Sequence, residues 1–283
     1  MKERAYAKIN LSLDVVGIRA DGYHELEMIM VPINFYDVLE MEIAPEMSME
    51  QNVGYLPMNE KNTIIKAINV LREEYGFEEN FKIKLTKHIP TQAGLAGGSS
   101  DGAAAIRLVR KLLRLNMPNE KMIELATKVG ADVAFCCMNR PAVVRGIGDI
   151  IEPFKFDCPF EIFLVKPHRG IMTKKAFEMI DKMDCEHPDV MGLKNALETS
   201  DYEQVCKLLG NSLEASSFTM NKEIAKVKQK MLDLGFDGSL MTGSGSCVFG
   251  ITRDPELITK AEKYFKRRGY FVRHTSILRN NYR

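Results

Sequence analysis

A run of small residues, Pro90-Thr91-Gln92-Ala93-Gly94-Leu95-Ala96-Gly97-Gly98-Ser99-Ser100-Asp101, separates a segment patterned as a strand from one patterned as a helix. Such a junction makes an anion site, because N–H groups without intrahelical acceptors and the positive end of the helix dipole converge there. Gly94, Gly97 and Gly98 let the backbone approach phosphate oxygens with no Cβ in the way, so the chemistry suits a polyphosphate. The run holds no Walker lysine and no G-x-G-x-x-G spacing. A tight turn with a helix cap drawn from Ser99, Ser100 and Asp101 accounts for the same residues, and both readings stand at this point.

Lys8 and Asp132 are the cation and carboxylate chosen as a candidate acid–base pair. Each also has a plain explanation. Lys8 falls on the polar face of a strand, where most lysines are solvated. Asp132 follows a glycine stop and suits the cap of a short helix beginning at Val133. A second glycine loop, Thr242-Gly-Ser-Gly-Ser246, lies between two short strand patterns and also fits an ordinary hairpin turn. Lys263-Tyr-Phe-Lys-Arg-Arg-Gly269 mixes basic and aromatic residues, but basic residues at a helix end complement its dipole. His24-Glu25 begins like a zinc-protease motif, and Met28 stands where its second histidine belongs.

Composition narrows the class. The chain has 283 residues, 45% of them hydrophobic and 27% charged, with a formal net charge of +1. That balance recruits neither nucleic acid nor a membrane surface, and no apolar run is long enough to span a bilayer. The N-terminus has no apolar signal-peptide core, so a cytoplasmic protein is expected. The six cysteines, Cys136, Cys137, Cys158, Cys185, Cys206 and Cys247, form no C-x-x-C or zinc spacing and are expected as reduced thiols.

The elements that must position these residues follow from periodicity. Ala5, Ala7, Ile9, Leu11, Leu13 and Val15 alternate with Tyr6, Lys8, Asn10, Ser12 and Asp14, predicting a strand with one core face and one polar face. A further strand over Leu26 to Ile43 is interrupted near Pro32, and a helix runs from an Asn62 cap to a Gly76 stop. Phe81 to Lys87 and Ala103 to Leu115 are the strand and helix around the first glycine loop. A helix opens at Pro118 and Asn119 and stops at Gly130. The second half predicts a strand at 161–165, helices over 174–183, 202–209, 220–234 and 255–268, and strands over 239–241, 247–251 and 270–274. The whole predicts an α+β protein in two domains, 1–152 and 153–283, divided where Pro153 and Pro159 bracket an aperiodic stretch.

Taken in order, the segments resemble the GHMP kinases. The marks are Ala7-Lys-Ile-Asn-Leu-Ser-Leu13, Arg19-Ala-Asp-Gly-Tyr-His24, the Pro90–Ser100 loop with Asp101, Gly130-Ala-Asp-Val133, Gly146-Ile-Gly148 and Thr242-Gly-Ser-Gly-Ser246. Within the superfamily the chain looks like the branch that phosphorylates the 2-hydroxyl of 4-diphosphocytidyl-2-C-methyl-D-erythritol in non-mevalonate isoprenoid synthesis. The resemblance implies the GHMP kinase fold, an N-terminal domain like ribosomal protein S5 domain 2 followed by a ferredoxin-like C-terminal domain. It implies that Pro90 to Ser100 wrap the phosphates of ATP, that Mg²⁺ accompanies the nucleotide without a protein cage, and that Asp132 and Lys8 are catalytic. It further implies that Asn10 positions the substrate, that Tyr23 and Phe177 sandwich the cytosine ring, and that His24 reads its edge. Gly243, Ser244 and Gly245 of the second loop would also face the substrate. The partner expected is the small cytidine diphosphate-linked substrate, with no nucleic acid and no membrane, on a monomer or homodimer. A kinase for another small alcohol, such as homoserine or mevalonate, and a silent nucleotide-binding regulator are the alternatives.

Five positions depart from the family pattern. Ala96 stands where glycine is usual, which the loop tolerates if its φ is negative. Gly102 replaces alanine and should weaken the first helical turn. Ala134 replaces proline after the catalytic aspartate, and Arg140-Pro141 replaces a Gly-Thr pair, so this segment is expected to be looser.

Overall fold

The alternation at the N-terminus becomes one of two long strands, which between them carry Lys8, Asn10, His24 and Asp37. The computed structural model describes residues 1–54, 56–57 and 59–279. In chain order the elements are β1 (Lys2–Ile18), β2 (His24–Ala44), β3 (Ser48–Gln51), α1 (Thr63–Tyr75), β4 (Asn80–Thr86), α2 (Gly97–Leu112), α3 (Asn119–Val129) and α4 (Ala131–Met138). They continue with β5 (Ala142–Gly146), β6 (Ile150–Pro153), β7 (Glu161–Lys166), α5 (Thr173–Ile180), α6 (Val190–Glu198), α7 (Tyr202–Leu208) and β8 (Gly210–Asn211). The last are α8 (Glu214–Met220), α9 (Lys222–Leu234), β9 (Gly238–Met241), β10 (Val248–Thr252), α10 (Pro255–Lys266) and β11 (Phe271–Ser276).

Two compact units emerge, and they interleave along the chain. One comprises Met1–Lys8, Phe35–Thr91 and Ala96–Asn139; the other comprises Ile9–Asn34, Gln92–Leu95 and the chain from Arg140 onward. Both β1 and β2 contribute residues to each unit, which is why the units do not follow a single point in the sequence.

In the first unit β4 pairs antiparallel with β2 over Val38–Ala44 and parallel with β3. Phe81, Ile83 and Leu85 of β4 are buried while Lys82 and Lys84 are exposed, the period of two expected of a half-buried strand. Helices α1 and α2 pack together, as do α3 and α4. Asn62 caps α1 by accepting from the Ile64 N–H, and Gly76 closes it in the left-handed conformation, as the residue types predict. Gly102 has a packing role: a Cβ there would lie 2.7 Å from Thr63 Cγ2, so its absence lets α1 and α2 approach.

In the second unit β5 pairs antiparallel with β2 over Leu26–Met30, and β6 extends from β5. The anticipated break at Pro32 does not occur, since β2 is continuous. Pro32 falls between the residues of β2 that pair with β5 and those that pair with β4, so its missing donor breaks neither ladder. A separate antiparallel sheet has the order β11-β7-β10-β9. Helix α9 packs on β9 and β10, and α10 packs on β7 and β11. Numbered from β7, the strand order is fourth, first, third, second with intervening helices, the ferredoxin-like arrangement. Phe163, Phe249 and Phe265 are almost wholly buried in this sheet's core, each contributing roughly 1.5–3 kcal/mol of transfer free energy.

Three local readings change. Helix α6 lies in a stretch where no helix was expected, although Asp189 caps it through the Gly192 N–H. The helix expected over 220–234 is divided: α8 ends at Met220 and Asn221 caps α9. Most informative is β1, where Lys8, Asn10, Ser12 and Asp14 are as buried as the apolar face. Its polar face is thus an interior polar surface, which is where a strand can hold functional groups away from bulk water.

Candidate active site

Helix α2 begins at Gly97 with Ala96 as its N-cap, and no side chain caps it. Ser100 Oγ donates to the Gly97 carbonyl within the first turn, and Asp101 turns inward to Lys87. A cap drawn from Ser99, Ser100 or Asp101 is therefore not what the loop provides. The N–H groups of the first turn keep no intrahelical acceptor, the property an anion site needs. Gly94 has φ 71°, and a Cβ on it would lie 2.0 Å from the Thr242 carbonyl oxygen. Gly98 is exposed, and a Cβ there would meet only Thr63 Oγ1, at 3.5 Å. Packing demands a glycine at 94 and not at 98. Ala96 has φ 55°, so the condition for tolerating alanine there, a negative φ, is not met. An L-residue held there costs about 1–2 kcal/mol that glycine would not.

Beneath this turn lies a cluster that was not anticipated. Lys87 Nζ donates to Asp37 and, at 2.6 Å, to Asp101 Oδ2, with all three residues buried. Asp37 also accepts the backbone N–H of His88 and that of Ile89, the latter at 2.8 Å. Asp101 Oδ1 is buried without a hydrogen-bond partner. Burial pushes the Asp101 carboxyl up to about 8; Lys87 opposes the shift and the nearby Asp37 adds to it. Burial alone would lower the Lys87 ammonium, but the two carboxylates outweigh it and the net direction is upward. A signal for Lys87 did exist: it continues the 81, 83, 85 parity of β4, so a lysine occupies a core position. Nothing in the pattern pointed to Asp37.

Lys8 and Asp132 come together in the same unit. Lys8 Nζ lies 3.8 Å from Asp132 Oδ2, with side chains 5% and 37% exposed respectively. Both plain explanations fail. The lysine is not solvated, and Asp132 sits inside the first turn of α4 rather than capping a helix that starts at Val133. Ala134 continues α4 and is fully buried, so helical packing holds this segment without the proline. Cys136, one turn on, is buried, which raises its thiol well above the usual value, with the charge of Asp132 adding to the effect. All six cysteines are free thiols.

The second glycine loop joins β9 to β10 as a hairpin, with Met241 opposite Val248. It is not an ordinary exposed turn, because residues 242–247 are all buried. Thr242 Oγ1 accepts the Asn10 N–H at 3.0 Å and donates to the Gly94 carbonyl at 3.2 Å. Ser246 and Cys247 donate their N–H groups to the Gln92 and Ala93 carbonyls. Asn211 Nδ2 holds the Met241 and Gly243 carbonyls, and Ser244 Oγ pairs with Thr173 Oγ1 at 2.8 Å. Gly243 and Gly245 both have positive φ, 55° and 84°. Residues 92–95 of the first loop are thus shaped by the second, a contact that spacing does not reveal.

His24 and Phe177 also meet, with ring centroids 4.7 Å apart at 36°. Phe177 is half-buried while Ala176 and Ile180 face the interior, so it is not simply a core residue of α5. Tyr23 is 62% exposed just ahead of β2. His24 Nε2 lies 2.6 Å from Asp181 Oδ1, a partner the sequence reading missed. The signal was helical spacing, since Asp181 follows Phe177 by four residues at the end of α5. The basic C-terminal segment packs on itself, with Arg268 over the Tyr264 ring at 3.7 Å. Among the described residues no group of His, Cys, Asp and Glu could hold a metal ion, and no helix is long and apolar enough to cross a membrane.

Comparison with known proteins follows the same lines. The family pattern described as the GHMP kinases N terminal domain matches residues 62–140, and that described as GHMP kinases C terminal matches residues 193–270. A 4-diphosphocytidyl-2-C-methyl-D-erythritol kinase of Thermoanaerobacter pseudethanolicus is 40% identical over 96% of this chain and 94% of its own. One from Clostridium acetobutylicum is 39% identical over 94% of each chain. The crystal structure of a 4-(cytidine 5'-diphospho)-2C-methyl-D-erythritol kinase superposes with a TM-score of 0.83 at 28% identity, covering 99% of this chain and 100% of the other. Sequence, fold and the meeting of Lys8 with Asp132 agree, and the chain belongs to the GHMP kinases, within the 4-diphosphocytidyl-2-C-methyl-D-erythritol kinase family.

Proposed function

We propose that the chain transfers the terminal phosphoryl group of ATP to the 2-hydroxyl of 4-diphosphocytidyl-2-C-methyl-D-erythritol, a step of non-mevalonate isoprenoid precursor synthesis. The observation that carries this reading is the buried Lys8 ammonium 3.8 Å from a carboxylate, Asp132, that remains open to solvent. Asp132 accepts the hydroxyl proton as the oxygen attacks. Lys8 steadies the charge that develops beside it. Phosphoryl transfer depends on positioning and charge stabilisation more than on covalent help, so this pair and an anion cradle suffice.

The cradle is the 90–100 loop, whose first-turn N–H groups would hold the nucleotide phosphates. Gly98 supports it: a helical glycine costs about 1 kcal/mol relative to alanine, and packing does not demand one there. Mg²⁺, when bound with the nucleotide, neutralises phosphate charge, and its ligands would be phosphate and water oxygens rather than a protein cage. Asn10, His24, Tyr23, Phe177 and Gly243, Ser244 and Gly245 would hold the cytidylyl substrate, Tyr23 and Phe177 by stacking on the base and His24 by hydrogen bonding at its edge. The family's two portions divide near 152/153, inside the 141–192 interval that neither family pattern covers. The enzyme works in the cytoplasm on this small molecule, as a monomer or homodimer.

The test is ADP formation with Mg²⁺ and a panel of the cytidylyl substrate, homoserine, mevalonate and galactose. Turnover of the cytidylyl substrate alone is the expected result. Turnover of another alcohol would discard the cytidine assignment, and ATP binding with no turnover of any would leave a nucleotide-binding regulator.

A further inference from the structure

We propose that Asp181 is a positioning residue that selects cytosine over uracil by fixing the tautomer of His24. The inference rests on the cytidine reading above and concerns how that site tells two pyrimidines apart. An ionised carboxylate only accepts hydrogen bonds, and Asp181 Oδ1 lies 2.6 Å from His24 Nε2. The imidazole proton therefore resides on Nε2. In the neutral ring the remaining nitrogen, Nδ1, is then an acceptor. An acceptor at the base edge pairs with the exocyclic amino group of cytosine, a donor, and opposes the carbonyl oxygen that uracil carries in its place.

The surroundings make the ring a rigid reader. His24 is 14% exposed in its side chain and Asp181 31%. The same end of α5 supplies the Phe177 ring that packs against the imidazole at 4.7 Å. Because Phe177 and Asp181 stand four residues apart, one face of one helix sets both the plane of the imidazole and the place of its proton. A tautomer held in advance needs no reorganisation when the base arrives, the usual source of selectivity in a polar site.

Two measurements on the full chain decide the matter. The ¹⁵N shifts of the His24 ring at pH 8 should report a proton on Nε2 in the wild type and a mixed population in Asp181→Ala. Dissociation constants for the cytidylyl substrate and its uridylyl analogue, taken without ATP, should differ by about 100-fold in the wild type. Asp181→Ala should weaken the cytidylyl ligand about tenfold and shrink the preference by a similar factor. Asp181→Asn can donate its amide to Nε2 and should shrink the preference further, while Asp181→Glu should restore most of it. A wild-type ring carrying its proton on Nδ1 or on both nitrogens overturns the proposal. So does an Asp181→Ala variant that weakens both ligands equally or neither. If His24→Ala leaves cytidylyl binding unchanged, the cytidine site itself is elsewhere and the proposal falls with it. Failure of the kinase reading is distinct, because it appears as absent ADP formation while both of these binding measurements remain decisive.

Discussion

Two lysine–aspartate clusters in one unit use the same chemical groups to opposite ends. At Lys8 the Asp132 carboxylate faces a buried ammonium and stays open to solvent. At Lys87 two carboxylates share one ammonium, and none of the three is exposed. The first leaves its carboxylate 37% exposed, as the proposed role of a base requires. The second is sealed, and with the Asp101 carboxyl raised to about 8 it holds a proton beside its one ammonium, so its electrostatics act on the fold and on the turn above it. Accessibility of the carboxylate, rather than the residue types, separates the two roles.

The largest effect that would test this contrast is Asp132→Asn. The variant should fold normally and bind ATP, but lose roughly 10²–10⁴ in kcat. Wild-type turnover by Asp132→Asn would remove the distinction. Lys87→Met should act on the fold instead, costing about 3–5 kcal/mol in urea melts because the buried carboxyl pair loses its cation. A melt unchanged by Lys87→Met would mean that proton uptake by the carboxyl pair replaces the lost cation.

A subtler effect is pH dependence. Asp101 is raised from the ordinary carboxyl value of 3.8 to about 8 in the folded chain. Between those values the native state binds the proton that the unfolded state has released, so this residue's contribution to stability falls as pH rises through that window. Asp101→Asn should flatten the slope and make the protein relatively more stable at pH 8 than the wild type, as read from urea midpoints across pH. An identical slope in the variant would place the retained proton elsewhere. Smallest is Ala96→Gly, which relieves a positive φ of 55°. It should leave stability unchanged or raise it by up to about 1 kcal/mol, the relief partly offset by the freer unfolded chain. A loss of stability on this change would show that the alanine methyl packs usefully.

Much of this protein was legible in one dimension. Periodicity marked β1, β4, α1, α2 and the elements of the second sheet, because a strand or helix with one buried face must repeat its apolar residues at the element's own period. Caps at Asn62 and Gly76 were visible because their role is local. The glycine loops, Lys8 and Asp132 were identifiable as residue types, and ordered motifs tied them to a family. Local pattern could not establish what lies on the far side of each residue. The polar face of β1 reads as solvent-facing until other parts of the fold cover it. Likewise, Pro32 reads as a break until the ladders of β2 with β5 and with β4 are seen to stop on either side of it.

The same division holds at the site. Sequence by itself determined the form of the first glycine turn, since a strand–glycine–helix junction exposes backbone donors whatever surrounds it. Tertiary structure decided the pairings. Lys8 meets Asp132 from 124 positions away, Gly94 yields to the Thr242 carbonyl, and Asp181 fixes the imidazole of His24 across 157 positions. Electrostatics and steric exclusion act through space over a few ångströms, and chain separation carries no record of which residues will be neighbours.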